Sequence, residues 1–241
     1  MSDLQALSDL NHFIDAHTFR QSLLSWGKEH FRSFPWRQTG DPYHILMAEI
    51  MLHRTQARQV VPVYEAFIAR YPTVALLAQA SREQLHQILY SLGLRWRIDL
   101  IQNMAQELMS RFGGQVPQEK APLLSLPGVS EYIASAVRCF AWNLPEPLID
   151  TNVVRILGRL FGLETRDSSR RSRLFQHLAA TLVDPEQPRR YTYALLDLAD
   201  QICMKKRLPL CKTCPVRAQC SYGLAAVAGN IQRGKTHDDG R

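Results

Sequence analysis

The chain is short of the residues that break helices. Twelve glycines and 13 prolines are spread over 241 residues, and several long stretches contain neither. That favours helices. No convincing alternating strand pattern or hairpin signal occurs, and there is no fixed-period repeat and no low-complexity linker. Nor does any run approach the ~18 consecutive apolar residues of a spanning helix. The start, MSDLQALSDLNHF, carries acids and no long apolar run, so neither a signal peptide nor a membrane partner is expected. Acids are outnumbered: 22 Asp and Glu stand against 29 Lys and Arg, for a net charge of +7. This balance fits a polyanionic partner or an ordinary basic soluble protein. The five cysteines are not scattered as a disulfide framework would be. Cys139 sits alone in an apolar helix pattern, and the other four fall between 203 and 220.

What is present reads as helix after helix. DPYHILMAEIMLHRT (41–55) opens on Asp-Pro and continues as a mostly buried helix. VVPVYEAFIARYP (60–72) is stopped by Pro72, and SREQLHQILYSLG (81–93) begins at a serine cap and ends at a glycine. IDLIQNMAQELMSRFGG (98–114) is amphipathic with a Gly-Gly stop. LIDTNVVRILGRLFG (148–162), RSRLFQHLAATLV (171–183) and RRYTYALLDLADQIC (189–203) follow. The fold class is therefore all-α. The segment from about 224 fades into small and polar residues and is expected to be a disordered tail.

Three features carry chemistry. The first is LPGVS (126–130) between two helical stretches, a helix-hairpin-helix signature. Gly128 permits a positive φ, and the backbone N–H groups around Gly128 and Ser130 are suited to a phosphate oxygen, which they bind without reading sequence. The second is Asp150, eighteen residues beyond Tyr132, at the N-cap of the following helix. The helix dipole there favours a fixed carboxylate able to stabilise a cationic transition state or to activate water. The third is Cys203, Cys211, Cys214 and Cys220 in the spacing C-x7-C-x2-C-x5-C. Four thiolates so close bind a zinc ion or a cluster. Zinc sites usually pair two C-x2-C knuckles and only one is present, so the uneven gaps fit a [4Fe–4S] cluster better. Lys205, Lys206 and Arg207 in the first gap form a basic loop suited to a DNA backbone. Cys139 reads as a core thiol.

Together these features resemble the helix-hairpin-helix glycosylase superfamily of endonuclease III and the MutY-type adenine glycosylases, from about Phe34 to Tyr222. The first cysteine gap is one residue longer than the family's usual six. The resemblance implies two lobes: a six-helix barrel over 34–144, and an iron–sulfur domain from 1–33 and 145–223. It also implies double-stranded DNA across the cleft, with a mismatched or damaged nucleotide flipped into a pocket there. In bifunctional members a lysine stands at the position of Tyr132 and attacks the sugar. A tyrosine cannot form that imine, so this chain resembles the monofunctional members, in which water attacks. Asp150 matches the family's catalytic aspartate.

Glu49 matches the catalytic glutamate of MutY-type enzymes, but the MutY-type Gln-Gln pair is His53-Arg54 here and its serine is Tyr132. The set Glu49, Arg54 and Tyr132 is closer to the Mig-type thymine/uracil glycosylases, which act on G:T and G:U pairs. On that resemblance Glu49 bonds the pyrimidine edge and Tyr132 packs on the sugar or base. Arg54 fills the vacated stack, and Leu94 and Arg95 are candidates for a second wedge. Adenine removal is the rival activity, and a non-catalytic DNA-binding module a further one. A monomer is expected, in a reducing compartment, hence cytoplasmic and associated with the nucleoid.

Overall fold

The computed structural model describes residues 14–93 and 97–229, and among them every regular element is a helix. In chain order these are α1 (Ala16–His30), α2 (Pro42–Leu52), α3 (Ala57–Arg70), α4 (Val74–Ala78), α5 (Arg82–Leu89), α6 (Ile98–Phe112), α7 (Lys120–Leu124) and α8 (Glu131–Trp142). Then come α9 (Thr151–Phe161), α10 (Arg173–Leu182), α11 (Pro188–Gln201) and α12 (Ser221–Val227). The tail expected from 224 is therefore corrected in part. α12 carries the chain on to Val227, because Leu224 and Ala228 N–H close helical bonds onto Cys220 and Leu224. Residues 230–241 lie outside the described residues. No helix among the described residues is long and apolar enough to cross a membrane.

The chain divides into two compact units, one of Met1–Phe31 with Pro147–Arg241 and one of Arg32–Glu146. In the first unit α1 starts at Asp15, whose carboxylate accepts from His17 and Thr18 N–H. Its buried residues Phe19, Leu23 and Gly27 recur at a spacing of four and so share one face. That face packs on α11, where a Cβ at position 27 would stand 2.8 Å from Ala194 Cβ. Only glycine lets the two helices approach so closely. α9 contributes Val153, Ile156, Leu157 and Leu160 to the same core and keeps Asn152, Arg155 and Arg159 on another side.

In the second unit α2 is buried almost all round, with Leu46, Met47, Ala48 and Met51 wholly inaccessible. It packs on α3 and α8, while α6 packs on α4 and α5. Asp41 caps α2 through Tyr43 and His44 N–H, Pro42 begins the helix, and the Tyr43 hydroxyl donates to Tyr71 O at 2.7 Å. The end of this unit is pinned by Glu146. It accepts from Arg138 Nε at 2.6 Å and from the Ser135 hydroxyl at 3.0 Å, with Lys120 Nζ at 3.5 Å.

Burial pushes the Glu146 carboxyl upward, but Arg138, Lys120 and Ser135 outweigh it and hold the group below its ordinary value of 4.5. A depressed carboxylate stabilises the fold above its unfolded value and loses that contribution as pH falls through the native one. Glu146→Gln is accordingly expected to cost about 1–3 kcal/mol near neutral pH. The gap between variant and wild type should close under acid, below 4.5. Denaturant melts across that range check it, and a gap that stays constant with pH refutes the assignment.

Candidate functional site

The hairpin is built as its sequence suggests. Val129 N–H bonds to Leu126 O at 3.2 Å, with Pro127 second in the turn and Gly128 third at φ +80°. This is a type II turn, whose third position needs a left-handed residue. The helix before it, α7, has only five residues, and Arg111 of α6 braces the junction by donating to Ser125 Oγ at 3.0 Å. Ser130 is the N-cap of α8, where its Oγ accepts from Ile133 N–H at 3.3 Å. Its own O–H remains a donor, so capping the helix and offering a hydrogen to an anion are compatible. Tyr132 follows, half-buried, in the first turn of α8.

Glu49 lies on α2, the helix packed against α8, and is only 6% exposed. Carboxylates are rarely buried to that degree without a specific task or partner. Beyond α2 the chain turns sharply. Arg54 takes φ +65°, and Thr55 N–H returns to Leu52 O at 3.1 Å. A left-handed arginine costs about 1–2 kcal/mol relative to an ordinary conformation, so its surroundings must hold it. The buried Arg97, immediately before α6, donates from Nη1 to Ile50 O at 2.6 Å and contacts His53 Nδ1 with Nη2. Ile50, His53, Arg97, Gly128 and Ser130 also border one cavity of about 140 Å³. Leu94 and Arg95 lie outside the described residues.

Asp150 belongs to the other unit and is the N-cap of α9, as its sequence position indicates. Oδ1 accepts from Asn152 and Val153 N–H, each at 2.8 Å, and Oδ2 accepts from Asn152 Nδ2 at 2.7 Å. The bonds continue: Arg155 Nη1 donates to Asn152 Oδ1 at 3.1 Å, and Arg155 Nε donates to Cys203 O at 2.9 Å. A chain of side chains thus joins the carboxylate to the first cysteine of the 203–220 loop. Sequence reasoning passed over Asn152, Arg155, Arg159 and Arg97. The first three were findable, as polar residues on one stripe of an otherwise apolar helix.

Among the described residues no three His, Cys, Asp or Glu side chains form a group that could hold a metal ion as they stand. The donor chemistry nonetheless suits a cluster. Cys203, Cys214 and Cys220 pack, half-buried, against the core of their unit. Arg159 Nη1 approaches Cys203 Sγ at 3.2 Å, and Gly223 N–H donates to Cys220 Sγ at 3.3 Å. Such donors suit sulfur that carries negative charge. Burial, with Cys220, Cys203 and Cys211 adding to it, pushes the Cys214 thiol up to about 12. A free thiolate at Cys214 is thus disfavoured unless a metal draws off its charge. Lys205, Lys206 and Arg207 are all exposed beside them. Cys139 is wholly buried within α8, as a core thiol should be.

A cavity of about 890 Å³ runs along α9 and is bordered by Arg155, Arg159, Arg166, Arg170 and Lys205. Neither Asp150 nor any of the four loop cysteines is among its lining residues, but Arg155 and Arg159, which bond to Asn152 and Cys203, are.

Residues 47–180 match the HhH-GPD superfamily base excision DNA repair protein family. The chain is 38% identical over 208 residues to a thymine/uracil-DNA glycosylase of Pyrobaculum aerophilum, covering 84% of this chain and 90% of that relative. It is 34% identical over 212 residues to a human adenine DNA glycosylase, but that match covers 84% of this chain and 39% of the relative. The structure of a thermostable thymine-DNA glycosylase superposes with a TM-score of 0.81 at 31% identity, covering 87% of this chain and 96% of the other.

Proposed function

Because the chain belongs to the HhH-GPD superfamily of base excision DNA repair proteins, we propose that it is a monofunctional DNA glycosylase that removes thymine or uracil paired with guanine. The observation that carries this reading is the 38% identity with a thymine/uracil-DNA glycosylase over most of both chains. The adenine relative is matched over less than half of its own length.

In this reading the Arg32–Glu146 unit is the barrel lobe. The turn at Gly128 and Ser130 grips a phosphate of mismatched duplex DNA, and Lys205, Lys206 and Arg207 grip others. The pyrimidine is flipped from the stack. Glu49 bonds its edge, Tyr132 packs on the sugar or base, and Arg54 reaches the orphaned guanine, whose O6 and N7 accept from a guanidinium. The C1′–N1 bond then breaks with its electron pair passing to the base. Asp150 stabilises the cationic sugar, water adds at C1′, and the water's proton ends on the departing base. An intact abasic strand remains. The protein works as a monomer in the cytoplasm, at the nucleoid.

A panel of G:T, G:U, A:G and A:oxidised-guanine duplexes tests the reading, each treated with hot alkali after incubation to reveal abasic sites. Cleavage of G:T and G:U only after alkali supports it. Activity confined to the adenine substrates would put the adenine reading in its place, which the burial of Glu49 favours as the second choice. There Glu49 protonates a purine nitrogen to improve the leaving group.

In this reading the four loop cysteines would hold a [4Fe–4S] cluster, which would add a covalent tie to a loop that core packing, Arg155 and Arg159 already hold. A brown protein with about four irons per chain is expected. One zinc and no iron on metal analysis would overturn the cofactor assignment.

A further inference from the structure

The turn that presents Arg54 carries no glycine, yet Arg54 is left-handed and exposed. What fixes it comes from elsewhere in the same unit. Carbonyls in the last turn of a helix have no partner within the helix, and at the end of α2 a buried guanidinium fills that need. Arg97 donates to Ile50 O at 2.6 Å and contacts the ring of His53, the residue immediately before Arg54. A cation at a helix C-terminus is favourable, and a planar fork can bond two acceptors at once. Arg97 is thereby a cross-brace between the start of α6 and the end of α2.

A second observation bears on its role. The braced turn shares a cavity of about 140 Å³ with Gly128 and Ser130 of the hairpin, so the turn carrying Arg54 and the phosphate-gripping turn border one small space. Burial lowers the affinity of Arg97 for its proton, and the charge of Arg54 lowers it further. The two cations therefore lie within each other's field, and an electron-rich acceptor beside Arg54 relieves that repulsion. The O6 and N7 edge of an unpaired guanine is such an acceptor.

We propose that Arg97 is a positioning residue for opposite-base recognition: it locks the His53–Arg54 turn in the form that holds Arg54 outward toward the orphaned base. Its effect on recognition rests on the assignment of Arg54 given above; its hold on the turn does not.

Two readouts on Arg97→Met and Arg97→Lys test this, with Arg54→Ala and the Arg54→Ala/Arg97→Met double variant as partners. The first is hydrogen exchange of the Thr55 amide in the free protein, which reports opening of the turn without any DNA. Arg97→Met should raise the exchange rate by about tenfold or more. Arg97→Lys, which can still reach Ile50 O but not fork to His53, should fall between. The second is the single-turnover rate on uracil opposite guanine divided by that opposite adenine. Arg97→Met should bring this ratio down to the Arg54→Ala level, and the double variant should differ from Arg54→Ala by less than about twofold, since the two residues act as one unit.

Wild-type exchange at Thr55 in a folded Arg97→Met overturns the proposal. So does a double variant whose losses simply multiply. If Arg54→Ala leaves the ratio intact, the assignment of Arg54 falls instead, and the exchange measurement still decides whether Arg97 holds the turn.

Discussion

Asp150→Asn is expected to slow single-turnover excision by about a hundredfold or more while leaving mismatch binding near wild type. The capping bonds of the carboxylate are separable from the charge that its proposed role requires. Oδ1 caps α9, and asparagine caps a helix as well as aspartate does. Stability should therefore change by less than about 1 kcal/mol. Oδ2 accepts from Asn152 Nδ2, a bond the variant's amide nitrogen cannot replace, and the negative charge is lost outright. Only the charge is needed at a developing sugar cation. Excision within about threefold of wild type, measured with enzyme in excess, would remove Asp150 from the chemistry.

The second large effect is a gain. Tyr132→Lys is expected to acquire strand cleavage at uracil opposite guanine without alkali, and to be trapped on DNA by borohydride. A lysine amine can attack C1′ as the base leaves, forming an imine that opens the sugar and permits elimination of the 3′ phosphate. The position favours this. It lies in the first turn of α8, where the positive end of the helix dipole disfavours an ammonium and so raises the fraction of nucleophilic amine. A folded variant that excises uracil but never forms a covalent adduct would mean that residue 132 does not face the sugar.

The parts of this molecule that are local in sequence were legible in it. The type II turn at Pro127-Gly128 depends on two adjacent residues, and the cap at Asp150 on bonds two and three residues away. The end of α2 was not legible. A helix reading of 41–55 overruns its last residue, Leu52, because nothing in His53-Arg54-Thr55 announces a left-handed arginine. The start of α3 at Ala57 was likewise missed, since Gln56 makes no side-chain cap bond there. Arg97 was invisible for the same reason that it matters: its partners, Ile50 and His53, lie more than forty residues away in the chain. α1, too, was absent from the residue-by-residue reading, since its apolar face is explained chiefly by α11, far along the chain.

That partnership has a consequence for how the protein is made. Synthesis proceeds from the N-terminus, so α1 leaves the ribosome well before α11, its partner, is translated. Arg32–Glu146 can meanwhile close around its own core, because that unit is one continuous stretch of chain. Phe19 and Leu23 must wait uncovered until translation reaches Ala194, and the four loop cysteines arrive later still. Any cofactor those cysteines hold could then be loaded only after both segments of this unit have been made. A chain truncated before α11 would leave the ribosome with one finished unit and a greasy N-terminal helix, a natural target for chaperones and proteases.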